Sequence, residues 1–244
     1  MGRGPAGAAA VGHQGLDWMA WYLEIPVVSR IYVTSAFLTT VGCAMDLFNP
    51  FHLYYNFDLI VFQGQVWRLF SSFLYFGMFN NLDFLLHLFF MVRYCRLLEE
   101  GEFHGRTAHF VYFILFCILG IASSASWIGA NFLGNSLTFA MTYVWGRRNE
   151  DVRMGLFGFI QITAPYLCWA MLGMSLIMGQ RLDLDLVGIF VGHLYYFLEY
   201  VYPVVAKVRG WPIQRILEPP MILHWLCGTM PPLDGRGQPH VHIE

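Results

Sequence analysis

Two residues in this chain could form a hydrolytic pair. Ser136 lies in Gly134-Asn135-Ser136-Leu137, and His193 follows Gly188-Ile189-Phe190-Val191-Gly192 inside an apolar stretch. Together they supply the residue types of a serine nucleophile and its base. A histidine surrounded by hydrocarbon is costly and usually has a partner or a task. Hydrolysis also needs donors for the developing oxyanion. A Gly-x-Ser-Gly turn would let backbone amides approach the substrate carbonyl, because glycine has no Cβ. Here leucine stands at 137 instead, and neither Asn135 nor Thr138 repairs the loss. The segment has the outline of a membrane protease with its chemistry broken, so no catalytic residue is assigned. His193 is expected to hydrogen-bond a neighbouring helix.

Composition decides which elements must carry these residues. The 244 residues are 57% hydrophobic, 18% aromatic and only 12% charged, with mean hydropathy +0.51. Soluble domains carry about 25% charged residues, so the chain reads as an all-α, multi-pass membrane protein. Cys43, Cys95, Cys117, Cys168 and Cys227 form no C-x-x-C pair and read as small buried hydrophobes. His240-x-His242 is too little for a metal site, and neither metal nor cofactor is expected. No Asn-x-Ser/Thr sequon marks a side of the membrane.

Six apolar stretches approach the roughly 20 residues that a spanning helix needs. They run from about 31 to 48, 69 to 92, 110 to 125, 128 to 145, 156 to 178 and 184 to 202. Residues 1–15 are Gly/Ala-rich, without the apolar core of a secretory signal, and are expected to be a disordered arm. Residues 16–205 are expected to form the membrane domain and 206–244 a cytosolic tail. Of the fourteen basic residues, only Arg68 and Arg181 fall on one side of the alternating loops. The positive-inside rule then predicts that both termini are cytosolic.

The long aromatic loop between the first two spans is expected to lie in the interface, with Trp67 as an anchor and Arg68 reaching headgroups or capping a helix. Gly188-x-x-x-Gly192 reads as a close-packing or gating motif next to His193. Asn80, Asn81 and Asp83, with Gln161 beside Pro165, are candidates for a polar furrow facing a hydrated cavity. The charges of Glu99-Glu100 and Arg147-Arg148 read as solvated loop residues. A small-molecule transporter is the rival of another class, although neither repeated halves nor an intramembrane charge pair is seen.

Several segments in order resemble one family. They are Trp67-Arg68-Leu69 with Phe73-Leu74-Tyr75-Phe76-Gly77, Arg93 through Gly101 with Gly105-Arg106-Thr107-Ala108, and Tyr143-Val144-Trp145-Gly146-Arg147-Arg148-Asn149. Gln161 with Ala164-Pro165, and Gly188, Gly192, His193 and Tyr195 through Glu199, complete the set. Over roughly residues 15–205 the chain resembles the derlins, rhomboid-like pseudoproteases of the endoplasmic reticulum. The resemblance implies a six-helix rhomboid-like bundle without catalysis, acting in endoplasmic-reticulum-associated degradation. Its implied partners are misfolded protein clients, membrane lipids, a membrane ubiquitin ligase and a cytosolic AAA+ unfoldase of the valosin-containing type. Homo- or hetero-oligomers are compatible with it, and no nucleic acid is expected. It further implies an unfoldase-binding box at Leu233, Gly235, Gly237 and Gln238, where the ending Pro239-His240 departs from the usual pattern.

Overall fold

A computed structural model describes residues 18–77, 82–156, 160–211 and 216–229. Asn80, Asn81, the box residues Leu233, Gly235, Gly237 and Gln238, residues 1–15 and the two tail histidines lie outside this set. The described chain is a helical bundle. Short α1 (Trp18–Glu24) leads into α2 (Val27–Ala44), and α3 (Phe57–Gln63) and α4 (Trp67–Ser71) are short helices of the first long loop. Then come α5 (Leu82–Leu97), α6 (Thr107–Ile128) and α7 (Gly134–Arg148). Strands β1 (Arg153–Leu156) and β2 (Ile160–Thr163) form a hairpin before α8 (Ala164–Ile177) and α9 (Leu182–Tyr196). A π-helical turn carries α9 into α10 (Tyr202–Arg209), and α11 (Met221–Leu226) is the last described helix.

Among the described residues, three helical stretches are long and apolar enough to cross a membrane: Val27–Ala44, Thr107–Ile128 and Leu182–Arg209. Helix α8 is apolar but shorter. Large side chains such as Phe37, Leu119, Trp169 and Phe190 are exposed along these helices. In water that surface would be a liability; in a bilayer it is the lipid face.

The structure corrects several expected boundaries. The second stretch, which Gly77, Asn80, Asn81 and Asp83 interrupt in the sequence, is not one helix from 69 to 92. Helix α4 stops at Ser71, a turn follows, and Gly77 takes φ +109, a conformation closed to most side chains. The fourth stretch begins at Gly134 rather than 128, because Ile128 ends α6 and Gly129 closes it in the left-handed conformation at φ +67. The fifth begins at Ala164, after a hairpin pairing Arg153 with Thr163 and Gly155 with Gln161. Its alternating Ile160-Gln161-Ile162-Thr163 favours a strand. Pro165 therefore sits in the first helical turn, where no amide is needed, and frees no carbonyl within a span.

One end of the bundle holds the 98–106 turn, the hairpin, the C-terminus of α7, and α10 and α11. Most described basic residues gather there, including Arg30, Arg96, Arg106, Arg147, Arg148 and Arg153. The other end holds α3, α4, the C-terminus of α6 and the N-termini of α7 and α9, with Arg68 and Arg181. A continuous core links α5 to α9 through residues such as Tyr94, Phe113, Leu137, Phe139 and Tyr195.

Candidate functional site

The most extensive helix contact is that of α7 on α9. Small residues on both sides make it possible. A Cβ at Gly188 would overlap the carbonyl of Ser136 and stand 2.9 Å from its Cα; one at Gly192 would lie 2.9 Å from the carbonyl oxygen of Ala140. Gly188-x-x-x-Gly192 therefore faces Ser136-x-x-x-Ala140, backbone against backbone. Without a hydrophobic force between helices in lipid, close approach through small residues supplies the packing.

This contact decides what Ser136 and His193 can do. Ser136 is fully buried, and its hydroxyl donates to the carbonyl of Leu184 at 2.8 Å. Leu137 is buried in the core, and its amide donates to the carbonyl of Leu133 at 3.3 Å. That amide is committed to the helix rather than offered to an oxyanion. His193 lies on the exposed side of α9, and its Nδ1 pairs with the hydroxyl of Tyr143 at 2.6 Å. The two rings meet edge to face. Serine and histidine thus have separate partners, and Tyr143 is the neighbouring-helix partner that sequence alone did not name.

The first loop is organised around Arg68. Two roles are expected, headgroup contact or helix capping; the side chain turns inward and is buried, as capping requires. Its Nε donates to Gln65 at 2.5 Å, and Nη1 donates to the carbonyls of Phe51 and Tyr54 at 3.0 and 3.2 Å. The guanidinium also stacks 4.8 Å from the centre of the Tyr54 ring. Ser71 adds a bond to the carbonyl of Leu53. One planar fork of donors thereby closes the loop onto α4. Trp67 remains outside, 58% exposed.

Beside this loop is an open cavity of about 340 Å³, at the end of the bundle where α7 and α9 begin. Tyr75, Phe76, Asn131, Asn135, Gln180, Arg181 and Asp185 are among its lining residues. Its walls are tied down: Tyr55 N donates to Asn131 and Leu133 N to Ser72, while Tyr75 packs on Phe132 at 4.7 Å. Arg181 spans the rim. It pairs with Asp183 at 2.6 Å and donates to the carbonyls of Ile128 and Gly129, so a cation sits on the negative end of α6. The bond to Asp183, the largest influence, pushes the Arg181 guanidinium above its ordinary value. Asp185 is buried deeper in the wall.

Of the polar residues singled out in the sequence, Asp83 lies in the first turn of α5 and Gln161 is exposed on β2, outside any spanning helix. Among the described residues, the cavity gathers polar side chains from the ends of apolar stretches. Their shared location at alternate loop ends was the available signal. Glu99 was also misread as a solvated charge. It is buried and accepts Val28 N, Ser29 N and Ser29 Oγ at 3.1, 2.7 and 2.7 Å, satisfying the start of α2. Arg148 is exposed, as expected of a solvated charge, and it also pairs with Glu102 at 3.0 Å and lies over Tyr200 at 4.3 Å.

The Der1-like family profile matches residues 25–212. The chain belongs to the Der1-like family. It is 42% identical over 227 residues to Derlin-2.2 of Arabidopsis thaliana, covering 88% of this chain and 90% of that one. It is 45% identical over 194 residues to Derlin-2 of Oryza sativa subsp. japonica, covering 75% of this chain and 78% of the relative. Against Derlin-2.1 of Arabidopsis thaliana the identity is 45% over 227 residues. The fold is accordingly the rhomboid-like, all-α membrane fold of this family. Membership supports a role associated with endoplasmic-reticulum-associated degradation.

Proposed function

We propose that this protein is a non-catalytic component of endoplasmic-reticulum-associated degradation, which binds misfolded luminal or membrane proteins and assists their passage to the cytosol. The carrying observation is the fate of Ser136: its hydroxyl is buried and donated to Leu184, while His193 is held by Tyr143. A nucleophile needs its base within hydrogen-bond reach and a place for the reacting carbonyl. The α7–α9 contact fills that place with backbone.

In this reading the chain crosses the endoplasmic reticulum membrane six times with both termini cytosolic. The end rich in arginine faces the cytosol, as the positive-inside rule requires. The cavity lined by Asn131, Asn135, Gln180 and Asp185 then faces the lumen. It offers polar partners to an unfolded segment that would otherwise meet hydrocarbon, where each unsatisfied backbone group costs several kcal/mol. Asn80, Asn81, Asp83 and Gln161 remain proposed contributors to a polar path, and Trp67 with the Arg68-closed loop is proposed to disturb nearby lipid. Gly188 and Gly192 hold the bundle together at a gate. Clients pass to a membrane ubiquitin ligase and to an AAA+ unfoldase, the latter recruited through Leu233, Gly235, Gly237 and Gln238. The unfoldase supplies the energy, so no cofactor is required.

A client chase in cells lacking the protein tests this. Rescue by Ser136→Ala together with failure of a chain truncated after Met230 is the expected result. Failure of Ser136→Ala at normal expression would restore the protease reading.

A further inference from the structure

The chain does not trail away after α10. Leu217 is buried against the main core, and α11 packs on α6. The buried face of α11 is His224, whose ring lies edge to face with His109 at 5.6 Å and whose Nδ1 pairs with Thr229 at 3.3 Å. His109 belongs to the first turn of α6, a helix long and apolar enough to span a bilayer. That contact fixes the depth of α11 near the level where α6 enters the membrane.

The opposite face is apolar and uncovered. Ile222, Trp225 and Leu226 are 75%, 84% and 69% exposed, and Met221 is also exposed. Spacings of three and four residues put Ile222, Trp225 and Leu226 on one side of the helix. We propose that α11 is a membrane-surface foot whose Ile222, Trp225 and Leu226 insert into the leaflet on the side where α6 begins and α10 ends.

Lipid is favoured as the occupant by what surrounds the patch. The helix is docked on the first turn of α6, a helix long and apolar enough to span a bilayer, so its uncovered face lies at the level of the membrane surface. The end of the spanning stretch Leu182–Arg209, which precedes α11 in the chain, carries the residues of a membrane interface. Trp211 packs on Tyr202 at 5.8 Å and under Arg209 at 5.6 Å, and Lys207 and Arg209 are exposed on the last turn of α10. Aromatic rings settle at headgroup level, and nearby cations attract anionic lipid. A tryptophan with its body apolar and its N–H free to meet water or headgroups suits that boundary. The foot also fixes the chain's exit, so that whatever follows Thr229 starts at the membrane surface.

The test uses the full chain in phospholipid vesicles. Trp225 emission is obtained as the difference between wild type and Trp225→Phe, and lipids brominated near the top of the acyl chain serve as quenchers. Loss of most of the Trp225 signal to these lipids, with little loss to aqueous iodide, is expected, since interfacial helices sit at the headgroup–acyl boundary. Full quenching by iodide and none by brominated lipid would overturn the proposal and leave the face to a soluble protein. In Ile222→Ala/Leu226→Ala the lipid quenching should weaken; unchanged quenching would refute joint insertion. Unmodified protein gives an independent reading. A photoactivatable phospholipid with its carbene at glycerol depth should label residues 222–226, and labelling of α6 and α9 without any at 222–226 would likewise overturn the proposal.

Discussion

Replacing Gly188 with alanine should loosen the bundle more than any comparable glycine change. The new methyl would overlap the carbonyl of Ser136, with the carbonyl carbon at 2.8 Å and Cα at 2.9 Å. All three contacts are backbone, so no side chain can rotate away and α7 must separate from α9. Overpacking a tight contact costs about 1–3 kcal/mol, and rigid neighbours place Gly188 at the top of that range. Alanine's better helix propensity returns about 1 kcal/mol. The net loss is about 2 kcal/mol, roughly a 30-fold fall in the folded-to-unfolded ratio. Gly192→Ala meets the Ala140 oxygen at 2.9 Å and the Tyr143 Cβ at 3.3 Å, and should lose about 1 kcal/mol. Gly173 in α8 has nothing within 4 Å of its added methyl. There alanine should be neutral or stabilising by up to about 1 kcal/mol. Reversible unfolding of the three variants in mixed micelles ranks them. If Gly188→Ala proves as stable as Gly173→Ala, α7 and α9 do not meet backbone against backbone.

Other perturbations test the remaining contacts. Glu99→Ala should expose the start of α2 and cost about 1–3 kcal/mol, since a charged acceptor of three donors is lost; thermal unfolding in micelles reads this, and an unchanged midpoint would refute the capping role. Arg68→Lys should keep the charge but lose the fork to Gln65, Phe51 and Tyr54, so residues 49–66 should be cut faster by limited proteolysis than in wild type. Tyr143→Phe should cost only about 1 kcal/mol and leave client half-life unchanged, because the His193 bond is a packing contact. A large loss of client degradation at normal protein level would give His193 a direct part in passage.

Membrane residence and helical class were legible in the sequence because both rest on composition and run length. Exclusion of charge from stretches near 20 residues leaves few alternatives. The separation of Arg68 and Arg181 from most other described basic residues was legible for the same reason. The Gly188-x-x-x-Gly192 spacing announced a close contact, since both glycines fall on one helix face. Sequence could not say what they would touch. The partner, Ser136-x-x-x-Ala140, was visible only once α7 and α9 were side by side. Nor could it say that Arg68 would fold inward, because an arginine in an aromatic loop can serve lipid or backbone equally well. Glu99 is the clearest case. Beside Glu100 it read as one of two solvated charges, yet a difference of one position on a helix turns one carboxylate to the buried amides of α2 and the other to Arg96 outside. Helix boundaries at 134 and 164 were hidden for a related reason: apolar residues continue through Gly129 and the hairpin, so hydropathy does not register the change of backbone geometry. Local composition determined the solvent and the kind of element. Tertiary packing alone decided which polar groups hold the bundle together and which, such as Asn135 and Asp185, also line a cavity.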